Sequence, residues 1–219
     1  MKKIIALILA AVMMLSLVAC GSKTPAATDP TQGTNPTEPT EKVLTKEEMA
    51  AAASVEAIAK AMADKYIEFA GVRATYDEYM AELEEADRIS FEEFVSYQFS
   101  CAAVEKNAEW LTGFDVAPTG YSEAYCYQPM MMGQAFVGYI FRVAEGTNIE
   151  AFMTSLKNNC NPRWNICSMA NTTVCESYGN LVYFSMMVVA DEENPFGLSA
   201  AQKQAFSDTF VATIENSAK

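Results

Sequence analysis

The chain contains no histidine in its 219 residues. Without imidazole it lacks the general base of Ser-His-Asp and Cys-His nucleophiles and the histidine ligands of zinc sites. The acylating S-x-x-K motif, G-x-S-x-G, the P-loop, G-x-G-x-x-G, C-x-x-C and the EF-hand spacing are also absent. The sequence therefore predicts no catalytic residue, no metal site and no cofactor.

Basic residues are scarce, with 15 Lys and Arg against 28 Asp and Glu and a formal charge of −13. A chain this acidic is repelled by nucleic acid, so we expect no nucleic-acid partner. Carboxylates alone can still carry acid–base chemistry, as in glycosidases. The segment 77–93 contains eight acidic residues, but their helical spacing favours a solvated surface over cation binding or catalysis.

The first residues have the layout of a bacterial export leader. Lys2 and Lys3 precede an apolar run over residues 4–18, which at ~1.5 Å per residue is too short for a ~30 Å hydrocarbon core. The run ends in Leu17-Val18-Ala19-Cys20-Gly21, which resembles the lipobox of bacterial lipoproteins. The resemblance implies a signal peptide over 1–19 and a Cys20 that carries two acyl chains on the outer face of the cell membrane. The alternative is an ordinary secretory leader that ends near a cysteine.

Residues 20–42 are rich in proline and threonine and contain no aliphatic residue larger than alanine. Such a segment cannot bury enough apolar area to offset its ordering entropy, so we expect a disordered tether. The remaining residues, 43–219, are enough for a single domain with a substantial core.

Helix starts are marked by the S/T-x-x-E/Q pattern of the capping box. It occurs at Thr45/Glu48, Thr75/Glu78, Ser90/Glu93, Thr147/Glu150 and Ser199/Gln202. Apolar residues at helical spacing follow, and they predict a helical section over 45–113, in which one helix runs from Ser90 to Gly113.

Strand patterns dominate the section 120–219. The run 135–144 is almost continuously apolar, which is typical of a strand covered on both faces. Residues 172–178 and 181–190 flank Gly179-Asn180, which suits a type II′ hairpin turn, and 121–128 is a further strand. The sequence thus predicts an α+β fold, with an N-terminal helical section followed by an antiparallel or mixed sheet on which helices pack.

Three short motifs carry a family resemblance. They are Gly138-Tyr139-Ile140-Phe141-Arg142, then Asn161-Pro162-Arg163-Trp164-Asn165-Ile166-Cys167, and Gly179-Asn180 before a strand that ends in Met186-Met187. The stretch resembles uncharacterised lipoproteins of Gram-positive anaerobes, a domain of unknown function. The resemblance implies a lipoprotein context and no activity.

The polar segment 158–165 is the candidate contact site. Arg163 and Trp164, flanked by Asn161 and Asn165, are the residue types of binding hot spots. The alternative, which the residue types favour, is a local turn in which Trp164 packs into the core and Arg163 pairs with an acid. Five cysteines follow Cys20, so at least one is unpaired; Cys160 and Cys167 are the best candidates for a disulfide, and buried free thiols are the alternative.

These features support three functional hypotheses. The first is a membrane-anchored, non-catalytic binding or accessory module that engages an envelope protein or a small ligand. The second is an extracytoplasmic hydrolase that uses carboxylates alone, which requires two acids ~5–9 Å apart in a pocket. The third is a structural or immunity-type protein that masks a partner through an exposed apolar patch.

Overall fold

The computed structural model describes residues 44–130 and 133–217, and the predicted leader and tether, with Cys20, lie outside them. In chain order the elements are α1 (Lys46–Ala52), α2 (Val55–Phe69), α3 (Val72–Glu82), a 3₁₀ helix (Glu85–Asp87), α4 (Phe91–Gln98), β1 (Phe99–Ala103), β2 (Tyr121–Pro129), β3 (Phe136–Val143), α5 (Ile149–Asn159), β4 (Thr172–Tyr178), β5 (Leu181–Met187) and α6 (Ala200–Ser217). The predicted α+β class is confirmed.

The five strands form one antiparallel sheet in the order β1-β2-β3-β5-β4. The central strands β3 and β5 are buried at every position except Arg142, which is half-buried. This confirms that the apolar run 135–144 is a strand covered on both faces. The hairpin between β4 and β5 is also confirmed, and φ is +55° at Gly179 and not positive at Asn180, as a type II′ turn requires.

Alternating side chains of the sheet divide the interior into two cores. On one face, core 1 contains Ile140, Tyr183 and the buried faces of α1, α2 and α6. On the opposite face, core 2 contains Phe141, Phe184 and the buried face of α5. Because both faces of the sheet are covered by apolar contacts, the central strands have no polar face.

The capping boxes give mixed results. At Thr45 both reciprocal bonds with Glu48 form, and at Ser199 both form with Gln202. At Ser90 the hydroxyl accepts from the Glu93 amide at 3.1 Å. These three helix starts lie where the sequence predicts them.

Two predicted boxes are wrong. The helix α3 begins at Val72, directly after Gly71 with φ +66°, so Thr75 lies inside the helix and its hydroxyl donates to the Gly71 carbonyl oxygen. The helix α5 is capped by Asn148, whose Oδ1 accepts from the Ala151 amide at 2.8 Å. An asparagine at this position competes successfully with the preceding threonine.

The long helix predicted from Ser90 to Gly113 is also wrong, and with it the all-helical section 45–113. The helix α4 ends at Gln98, and Phe99–Ala103 continues as β1, which pairs with β2 at the edge of the sheet. Phe99 and Cys101 are two residues apart and both pack on core 1. Pairing with an existing strand overrides the helical spacing of this segment.

Arg142 attaches α1 to the sheet. Its Nη1 and Nη2 donate to the carbonyl oxygens of Ala50 and Ala53 at 2.9 and 2.5 Å, and its Nε lies 3.3 Å from a carboxylate oxygen of Glu123. The C-terminal carbonyls of a helix have no partner within the helix. The guanidinium therefore caps α1 from the neighbouring strand, with a charge of the sign that a helix C-terminus favours.

Candidate functional site

Three loop segments meet at one end of the sheet, where the strands β2 and β5 end and the strands β3 and β4 begin. They are residues 133–135, 161–171 and 188–199, and together we call them the loop end. The Ser168 hydroxyl donates to the Gly133 carbonyl at 3.2 Å and accepts from the Ala135 amide at 2.6 Å. The Gln134 side chain donates to the Phe196 carbonyl at 2.5 Å. These bonds join the first segment to each of the other two.

The loop end exposes large apolar side chains. Ile166 is 89% exposed, Phe196 88% and Met169 47%, and Met130, which follows β2, is 61% exposed. Single exposed apolar residues are common on protein surfaces, whereas a group of them on connected loops is characteristic of an interaction site. Because hydrogen bonds fix these loops, Ile166 and Phe196 stay exposed to water. Contact with a partner would remove the unfavourable free energy of that exposure.

A pocket of about 350 Å³ lies in the second segment of the loop end. Its lining consists of one short segment: Arg163, Asn165, Ile166, Cys167, Ser168 and Met169. Arg163 is exposed, and within the described residues it makes no ion pair. The pocket therefore combines an available guanidinium with apolar side chains.

A second pocket, of about 340 Å³, lies on the α6 side. Tyr66, Phe69 and Phe136 give it an aromatic wall, and Phe196 lies at its margin together with Leu198. The Tyr66 and Phe136 rings pack with centroids 4.0 Å apart. Burial raises the pKa of Tyr66 to about 12, so this wall stays uncharged across the physiological range. Both pockets are of the size that small ligands or partner side chains occupy.

The structure assigns local roles to three of the four predicted contact residues. Asn161 Oδ1 accepts from the Arg163 amide at 2.8 Å, and its amide group donates to Asp115. Asn165 Oδ1 accepts from the Cys167 amide at 2.9 Å. Trp164 is half-buried and packs on core 2. The asparagines thus form turns, the tryptophan anchors the loop, and only the Arg163 side chain points to solvent.

The predicted Cys160–Cys167 disulfide is not formed. Cys160 is a free thiol at the end of α5, and its Sγ donates to the Lys157 carbonyl at 3.3 Å. The backbone amide of Asn161 donates to the Gly113 carbonyl, which fixes the chain next to Cys160 against the loop that contains Gly113. Cys167 lies on the exposed part of the loop end. The six intervening residues form a loop directed outward and do not bring the two sulfurs together.

Sequence reasoning missed Ile166, Met169 and Phe196 as surface residues. Isoleucine, methionine and phenylalanine are residue types that are usually buried in the core. Whether such a side chain is exposed is decided by the folded chain. One signal was available, because Phe196 stands between Pro195 and Gly197 in a segment without helix or strand periodicity. A bulky side chain in a turn segment has no element that can bury it.

Within residues 44–130 and 133–217, no group of three or more Cys, Asp or Glu side chains has the arrangement of a metal site. No helix in the same part of the chain is long and apolar enough to cross a membrane. Comparisons with protein-family models, with curated proteins and with solved structures find no match to this chain. The family resemblance of the segment 138–187 stays a prediction.

Proposed function

We propose that the protein is an extracytoplasmic lipoprotein, anchored to the membrane through Cys20, whose folded domain binds another protein of the cell envelope through the loop end. The anchor rests on the sequence Leu17–Gly21 and the apolar run before it. Two acyl chains suffice for stable attachment without a membrane-spanning helix. The domain would then act at the membrane surface, within reach of its tether.

One observation carries the binding proposal: Ile166, Met169 and Phe196 are exposed on loops that hydrogen bonds hold together. Burial of apolar area contributes ~25 cal/mol per Å², and large apolar or aromatic side chains dominate protein interfaces. Arg163 adds a charge-directed contact beside them. A protein partner fits better than a small ligand because Ile166 and Phe196, although they line the two pockets, are 89% and 88% exposed, whereas a ligand site encloses most of what it binds.

The other two hypotheses fare differently. Neither pocket of the loop end has a carboxylate among its described lining residues, so the pair of acids that a carboxylate-dependent hydrolase requires is not found there. The exposed apolar side chains of the loop end are the kind of feature that a masking, immunity-type protein needs. Masking is therefore the more specific form of the binding proposal that the loop end favours.

Site-specific crosslinking in intact cells tests this function. A photoreactive phenylalanine analogue replaces Phe196 in one strain and Ile166 in another. We expect the same discrete adduct from both positions, because the two loops are joined through residues 133–135. The adduct should disappear when the other exposed side chain is changed, as in Ile166→Ser with the probe at 196.

Glu145 provides the matched control position. It is exposed in the connection after β3, at the opposite end of that strand from residues 133–135. A probe at 145 should give no adduct of that mass. Adducts of equal yield from 145 and 196, or none from either loop-end position, would refute binding through the loop end.

A further inference from the structure

A groove lies between α2 and α4, on residues that the loop end does not use. Its volume is about 390 Å³, and its apolar floor is formed by Ile67, Phe91 and Val95. Ile67 and Val95 are half-buried and pack on core 1 from the outside. The floor is therefore a part of the core surface that α3 and α4 leave accessible.

The cationic side chain in the lining is already engaged. Arg73 Nε lies 3.2 Å from an Asp77 carboxylate oxygen, and the guanidinium stacks over the Phe91 ring at 4.7 Å from its centroid. A salt bridge and a cation–π contact together hold Arg73 against its own helical section. Its ion pair is with Asp77, which does not line the groove.

The rim carries Asp64, Glu68 and Glu92. Glu68 pairs with Lys65 at 2.7 Å, whereas Asp64 and Glu92 form no ion pair within the described residues. The surrounding segment has the same sign, because residues 64–93 contain ten acidic and three basic residues. The groove thus presents an apolar floor inside a field of negative charge, which attracts cations and repels anions.

We propose that this groove binds a basic amphipathic segment of a partner protein. Apolar side chains of that segment would contact the floor, and its Lys or Arg side chains would face Asp64 and Glu92. A second copy of the chain fits poorly, since each copy carries a formal charge of −13. The tether fits poorly too, because residues 21–42 have no aliphatic residue larger than alanine. An anionic bilayer is repelled by the same charge.

Fluorescence anisotropy with a labelled model peptide tests the proposal on the purified full chain. The probe is a short helix with leucines on one face and lysines on the other, and the control peptides replace every lysine by glutamate or every leucine by serine. We expect saturable binding of the Lys/Leu probe, weakened severalfold by high salt because the charges are exposed. Neither control peptide should bind, since each lacks one half of the complementarity.

Two charge-reversed variants separate the groove from the general acidity of the chain. Asp64→Lys with Glu92→Lys changes the rim, and Glu82→Lys with Glu84→Lys makes the same change in net charge outside the lining. We expect about tenfold weaker binding for the rim variant and less than about threefold for its control. Equal weakening by both pairs, binding of the glutamate peptide, or no binding of the Lys/Leu probe would overturn the proposal. The loop end is untouched by these changes, so its function stands or fails separately.

Discussion

The substitution Gly138→Ala tests how the centre of the sheet is packed. Gly138 lies in β3 directly opposite Tyr127 of β2, and Tyr127 is completely buried. A Cβ at position 138 would lie 2.1 Å from Tyr127 Cζ and 2.4 Å from its hydroxyl oxygen. These separations are far below van der Waals contact, and a buried ring cannot swing into solvent. The ring therefore has to push into its neighbours, among them Phe136, whose centroid is 5.8 Å away.

We expect Gly138→Ala to lower the free energy of unfolding by about 3 kcal/mol, at the upper end of the cost of overpacking. Urea denaturation followed by far-UV circular dichroism measures it. The control is Gly146→Ala, where a Cβ meets nothing within 4 Å and the cost arises from φ +80° alone, or about 1–2 kcal/mol.

A double-mutant cycle isolates the steric cause. Tyr127→Ala alone should cost about 3–5 kcal/mol through the cavity that it leaves. In that background Gly138→Ala should cost less than about 1 kcal/mol, because the clashing ring is gone and alanine restricts the unfolded chain. The reasoning is refuted if Gly138→Ala costs no more than Gly146→Ala, or costs the same with and without the Tyr127 ring.

Three further predictions concern α1 and the thiols. Arg142→Met should lower the free energy of unfolding by about 2 kcal/mol, because the carbonyls of Ala50 and Ala53 lose a charged donor. In the same denaturation assay Arg142→Lys should recover only part of this loss, since one ammonium cannot reproduce the fork of a guanidinium. Full recovery by lysine would contradict the capping role. Burial raises the pKa of the Cys126 thiol from 9.0 to about 12, so the unfolded chain loses this proton first and the free energy of unfolding should fall as the pH rises from about 9 to 12. Cys126→Ala should make this fall less steep by about 1 kcal/mol per pH unit. Equal slopes for the wild type and the variant would show that this thiol does not contribute. Iodoacetamide should alkylate the exposed Cys167 well before Cys126, as peptide mass mapping would show, and simultaneous labelling would mean that the native thiols are equally accessible.

Local signals predicted the parts of the fold that depend on neighbouring residues. Gly179-Asn180 gave the hairpin because a type II′ turn requires a positive φ at its first central residue. The run 135–144 gave the central strand because both faces of that strand are buried. Thr45 and Ser199 gave helix starts because their capping partners lie three residues away.

The remainder depends on contacts that are distant in sequence. Phe99 and Cys101 satisfy both a helical and a strand spacing, and the pairing of β1 with β2 decides between them. For the candidate site, Arg163 and Trp164 lie in one of the segments that form the loop end, whereas the exposure of Ile166 and Phe196 depends on hydrogen bonds to residues 133–135. Local sequence shows which side chains are apolar, and the assembled fold decides which of them stay in water.

The mass of the intact mature protein, extracted from cell membranes, is the most direct test of the proposed function, because a membrane-surface binding module needs its anchor. We expect a chain that begins at Cys20 and carries a thioether-linked diacylglycerol, and we expect Cys20→Ser to release the protein or to leave its leader uncut. A mature chain with an unmodified Cys20 thiol, or recovery of the wild-type protein from the culture medium, would contradict it.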